Sequence, residues 1–168
     1  KSAILLFLLT GMRKSELLTA RWEWIDWDRR ELRLPDTKGG RPHVVPLVDA
    51  AMEILRGLPR LAENPYIFPS LTRPGCRLWN IDKPWREIRT AAGLDHVHIH
   101  DLRRSVGSWM AEDGVSLQII GKVLNHADIN TTKIYSRLTE DPARAALDKS
   151  AKILNISQLR QSKKTDTA

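Results

Sequence analysis

An unbroken apolar run, Ala3 through Leu9, opens the chain as expected of a helix enclosed by other elements, and Thr10-Gly11 interrupts it. The pattern predicts a second helix from about Ser15, with Glu16 in its first turn, running through Leu17, Leu18 and Ala20. The period then shortens to two. Residues 24–27 and 31–34 alternate apolar and charged positions, and residues 43–47 carry Val44 and Val45, which together predict three short strands. Asp28-Arg29-Arg30 and Asp36-Thr37-Lys38-Gly39-Gly40 supply the turns between them, and Pro46 sits at the far end, where a missing amide donor does least harm. Helical spacing returns over 48–58. A loop covers 65–74, and further helices are predicted over 82–92, 100–112, 116–124, 130–138 and 142–154, punctuated by Gly114, Asn125 and Asp141. Residues 158–168 are polar without an apolar face and are expected to form a mobile tail. The class is α+β, mainly helical, with one small antiparallel sheet.

At 168 residues, one compact domain is expected, and a hydrophobic content of 42% excludes a disordered chain. The opening apolar run is far shorter than the ~20 residues of a membrane helix. Arg13, Lys14 and Glu16 follow it with no small-residue cleavage site, so it is not a signal peptide. The chain lacks an initiator methionine and begins inside a helical pattern, which suggests a piece of a longer protein. A single cysteine, Cys76, forms no internal disulfide and points to a reducing, cytoplasmic setting. The net charge of +7 suits a polyanionic partner but does not locate a site.

No G-x-S-x-G, H-E-x-x-H, phosphate-loop or G-x-G-x-x-G motif is present, and no carboxylates are spaced as metal ligands, so no metal or cofactor is expected. What remains is a scattered set of cations and one tyrosine. Singly, each has an ordinary explanation. Arg13 beside Glu16 makes a surface ion pair, and His100 and Arg103 share a helical face. His126 caps the end of a helix, Lys38 is solvated in a turn, and Tyr135 packs alongside Ile134 and Leu138.

The order of the blocks is more informative than any member. Thr10-Gly11-Met12-Arg13-Lys14-Ser15-Glu16-Leu17 comes first, then Thr37-Lys38-Gly39-Gly40 ahead of Val44-Val45-Pro46-Leu47. His100-Asp101-Leu102-Arg103-Arg104 follows, and then Leu124-Asn125-His126 leading through Thr131-Thr132-Lys133-Ile134 to Tyr135. This succession closely resembles the catalytic domain of tyrosine recombinases, the phage-type integrases. The resemblance implies a small three-stranded antiparallel sheet packed against a helical bundle, with residues 1–157 as the catalytic domain and an amino-terminal DNA-clamping domain missing. It implies Arg13 and Arg103 as the two arginines, His100 as the histidine preceding the second, Lys38 as the hairpin lysine, His126 as the residue ahead of the nucleophile and Tyr135 as the nucleophile. Glu16 matches an acidic support of the first arginine. Asn125 stands where the family usually has glycine, and asparagine tolerates the left-handed angles such a turn requires.

These residue types suit strand cleavage. The reaction needs a nucleophile, cations for the charge that builds on phosphoryl oxygens, and a proton for the departing oxygen. Two guanidiniums clamp phosphate, His126 adds a hydrogen bond, His100 accepts the phenolic proton and Lys38 protonates the leaving 5′ oxygen. The resemblance implies a 3′-phosphotyrosine intermediate without metal or ATP, double-stranded DNA as partner, integration of a phage or other mobile element, and protomers that are monomeric alone and tetrameric on paired sites. Arg29, Arg30, Arg41, Arg86, Arg89 and Arg104 are candidate backbone contacts. Two other readings remain at this point: a helix-turn-helix binding module over 116–138, and a type IB topoisomerase-like strand relaxer.

Overall fold

The computed structural model describes residues 1–37, 40–138, 147 and 150–152. Helix α1 (Ser2–Thr10) ends at Gly11, whose backbone is left-handed (φ 62°) and whose amide donates to the Phe7 carbonyl at 2.9 Å. A short α2 (Lys14–Thr19) follows. Strands β1 (Ile25–Asp26), β2 (Glu31–Leu34) and β3 (His43–Pro46) form an antiparallel sheet in sequence order, with Leu32 opposite both Ile25 and Val45. β1 is shorter than the alternation predicts because Trp22–Trp24 close a 3-10 turn. Pro46 lies on an edge strand, as its missing donor requires. Helices α3 (Asp49–Arg56), α4 (Asp82–Ala91), α5 (Ile99–Glu112) and α6 (Leu117–Val123) match the periodic segments to within a residue or two.

The expected helix over 130–138 is instead two 3-10 turns, Ile129–Thr131 and Lys133–Leu138. Local polar groups outcompete an α-helical ladder there. The Asp128 carboxylate takes the Asn130 backbone amide at 2.8 Å, and the Thr132 carbonyl takes the Tyr135 amide, three residues on, at 3.1 Å. The second helix of a helix-turn-helix pair is therefore not formed. Of the expected helix over 142–154, Leu147 and residues 150–152 are described and helical. The rest of it, and the polar tail 158–168, lie outside the described residues.

The apolar side chains gather in two clusters. One joins Leu6 and Phe7 of α1 to Leu17, Leu18, the inner face of the sheet (Leu32, Leu34, Val45) and α3 (Met52, Leu55). The other joins Ala111 of α5, Ile120 of α6, Leu124 and Tyr135. Helix α5 bridges the two, packing against α1 on one side and against the Lys133–Leu138 turn on the other.

Candidate active site

The junction of the two clusters is held by Arg103. Its side chain is buried, with 4% of the residue exposed. Nη1 donates to the Gly11 carbonyl at 2.5 Å and Nη2 to the Leu124 carbonyl. The end of α1 and the end of α6 are thus tied to one guanidinium on α5. Gly11 is required twice over: its φ is positive, and a Cβ there would stand 2.8 Å from Leu124 Cδ2. Arg13 reaches the same turn from the other side. Its Nη2 donates to the Asn125 carbonyl at 2.8 Å, while the buried Glu16 carboxylate accepts from Arg13 Nη1 at 2.7 Å and from the Arg13 amide at 2.9 Å. Asn125 has φ 49°, the left-handed turn anticipated for it. Its side-chain amide donates to Thr37 Oγ1 at 3.3 Å, which ties the β2–β3 connection to the same turn. Lys38, next along that connection, lies outside the described residues.

His126 follows the turn, and its Nδ1 lies 2.9 Å from Thr132 Oγ1. Burial, then the charges of Arg103 and Arg13, push its pKa down to about 4, so the ring is neutral at pH 7. His100, on the exposed side of α5, is also lowered, first by burial and then by Arg103 and Arg104. Arg103 itself falls to about 10 through burial and the neighbouring Arg13 charge, and it remains a cation at pH 7. Two guanidiniums gathered at one turn favour an incoming anion.

Tyr135 is buried (4% exposed) against α5 at Gly107, one turn beyond Arg103. A Cβ at Gly107 would lie 2.6 Å from the phenolic oxygen and 2.8 Å from Cε1, closer than packed atoms tolerate. Burial raises the phenol pKa, against the opposing pull of Arg103 and Arg104. The geometry therefore brings Arg13, Arg103 and His126 together and sets Tyr135 beside them. It does not join Tyr135 to His100: Gly107 and His100 are separated by about 10 Å along the helix axis.

Three contributors escaped the sequence reading. Thr132 lies inside the block that leads to Tyr135 but drew no role of its own, and Gly107 belongs to none of the blocks. His43 shares the inner face of β3 with Val45, a placement that strict alternation would have revealed. It is lowered by burial, with Glu16 opposing and the backbone of Val123 as a hydrogen-bond partner.

The phage integrase family model matches residues 1–141. Tyrosine recombinase XerA of Pyrococcus horikoshii is 32% identical over 161 residues, covering 93% of this chain and 56% of that relative. A crystal structure of XerA recombinase superposes with a TM-score of 0.68 at 25% identity, over 88% of this chain and 55% of the other. XerH, solved bound to its difH substrate in a pre-cleavage complex, gives 0.68 at 24% identity, over 92% and 46%, and speaks for the fold alone. The chain spans about half the length of the curated relatives it matches.

Proposed function

Because the chain belongs to the phage integrase family, we propose that it cuts and rejoins double-stranded DNA through a covalent 3′-phosphotyrosine intermediate. The observation that carries this is the convergence of Arg13 and Arg103 on the turn that bears His126, with Tyr135 one helical turn away. In this reading the guanidiniums clamp the scissile phosphate and the neutral His126 donates a hydrogen bond to it. Tyr135 leaves its seat at Gly107 to attack phosphorus while His100 takes its proton, and Lys38 protonates the departing 5′ oxygen. Holding the phenol ionised at pH 7 would cost roughly 4 kcal/mol at 1.36 per pH unit, which is why a base acts as attack begins. One phosphodiester becomes one phosphotyrosine ester, so no ATP is consumed. A 5′ hydroxyl from another strand then displaces the tyrosine.

Residues 1–157 form the catalytic domain in this proposal. The protein acts in the cytoplasm on a phage or other mobile element, as a monomer alone and a tetramer on paired sites. Exposed Trp109, Ile119 and Ile134, on α5, α6 and the last 3-10 turn, support contacts between protomers. The test is a nicked suicide substrate. Wild-type protein should give a denaturant-resistant DNA complex, and Tyr135→Phe should bind the DNA without forming it. A Tyr135→Phe variant that still forms the adduct would overturn the assignment.

A further inference from the structure

Thr132 is fully buried (0% exposed), and among the described residues its hydroxyl has a single partner, Nδ1 of His126 at 2.9 Å. Its carbonyl accepts the amide of Tyr135 at 3.1 Å. One residue thus grips both the imidazole and the turn that carries the phenol. The direction of the hydroxyl bond follows from accounting for donors. If Nδ1 carried the proton, the Thr132 hydroxyl would accept it and leave its own hydrogen buried without a partner, which is unfavourable. If the hydroxyl donates, every buried donor of the pair is used, and the imidazole proton must sit on Nε2.

We propose that Thr132 is a positioning residue: its hydroxyl donates to Nδ1 of His126 and holds the ring as the Nε2–H tautomer, so that Nε2 presents a donor to a phosphate oxygen of DNA. The inference rests on the function proposed above for its ligand, but the tautomer is a property of the protein alone. The guanidinium bonds of Arg13 and Arg103 go to Glu16 and to backbone carbonyls, which leaves the outer edge of His126 uncommitted to either. The opposite tautomer would turn a lone pair toward the phosphate and repel it.

The experiment pairs imidazole ¹⁵N NMR with single-turnover cleavage of the suicide substrate, using wild type, Thr132→Val and Thr132→Ser. His126→Gln assigns the His126 signals among the five histidines. Wild type and Thr132→Ser should show a bare Nδ1 and a protonated Nε2; Thr132→Val should show mixed tautomers. The valine variant should form the covalent complex about tenfold or more slowly at unchanged DNA affinity, with serine restoring the rate, as for other groups that orient an active imidazole. A protonated Nδ1 in wild type, or a single Nε2–H tautomer persisting in Thr132→Val, overturns the proposal. Should Thr132→Val fail to fold, the wild-type spectrum still decides. Wild type that shows the expected tautomer yet never forms an adduct would refute the recombinase reading and leave the Thr132–His126 bond standing.

Discussion

Arg103 and Gly11 stand 92 positions apart and meet through a 2.5 Å hydrogen bond from guanidinium to carbonyl. With the second bond to Leu124, this makes Arg103 a structural tie, in addition to the phosphate contact proposed for it. A lysine keeps the charge but cannot span two carbonyls with a rigid fork. Arg103→Lys should therefore leave one buried carbonyl without its donor and lower stability by about 1–3 kcal/mol, read by urea unfolding. Unchanged stability would show that the two bonds do not hold the turn.

Tyr135 and Gly107 test the seat of the phenol. Gly107→Ala places a methyl against the ring, and overpacking of this kind costs about 1–3 kcal/mol, partly offset by alanine's better helix propensity. The ring should be displaced toward water and its raised pKa should fall back toward 10. With only two tyrosines in the chain, an ultraviolet titration with Tyr66→Phe isolates the signal. A titration identical with and without Gly107→Ala would place the ring elsewhere.

Acid should weaken the fold through its histidines. His126 titrates near 4 when folded and near 6.5 when unfolded, and His43 and His100 are lowered as well. Between those values the unfolded chain binds protons that the folded one refuses, so stability falls as pH drops from 6.5 toward 4. Asp101 and Asp128, both lowered, add the same trend only below their ordinary value of 3.8. Thermal melts should show the loss, and His126→Gln should flatten it. A melting temperature constant over this window would contradict the partly buried neutral ring.

Much of this was legible in the chain itself because the signals were local. The Thr10-Gly11 break, the alternation around Arg33 and the spacing of Ala51 and Leu55 each report a period or a turn that neighbouring residues enforce. Of the candidate site, Arg13, Arg103 and His126, which the fold gathers at one turn, were singled out by the order of their blocks. What escaped were relationships between distant residues: Gly107 is an ordinary helix glycine until Tyr135 lies on it, and Thr132 is one of two adjacent threonines until His126 turns toward it. The helix expected over 130–138 failed for a similar reason, since the Asp128 and Thr132 bonds that shorten its turns are invisible to periodicity.

The pH dependence of cleavage distinguishes a base-assisted attack from attack by a pre-ionised phenol. The second-order rate at low DNA reports the groups of the free protein. His100 must be neutral to accept the proton, and its pKa lies below the ordinary 6.5, lowered first by burial and then by Arg103 and Arg104. The rate should rise as His100 loses its proton and be level from neutrality upward. His100→Gln should abolish the acidic limb and slow the reaction by about 10²–10⁴, the usual range for a lost general base. A rate that instead climbs about tenfold per pH unit above neutrality would follow ionisation of the Tyr135 phenol, whose pKa is raised by burial, and would remove His100 from the proton path.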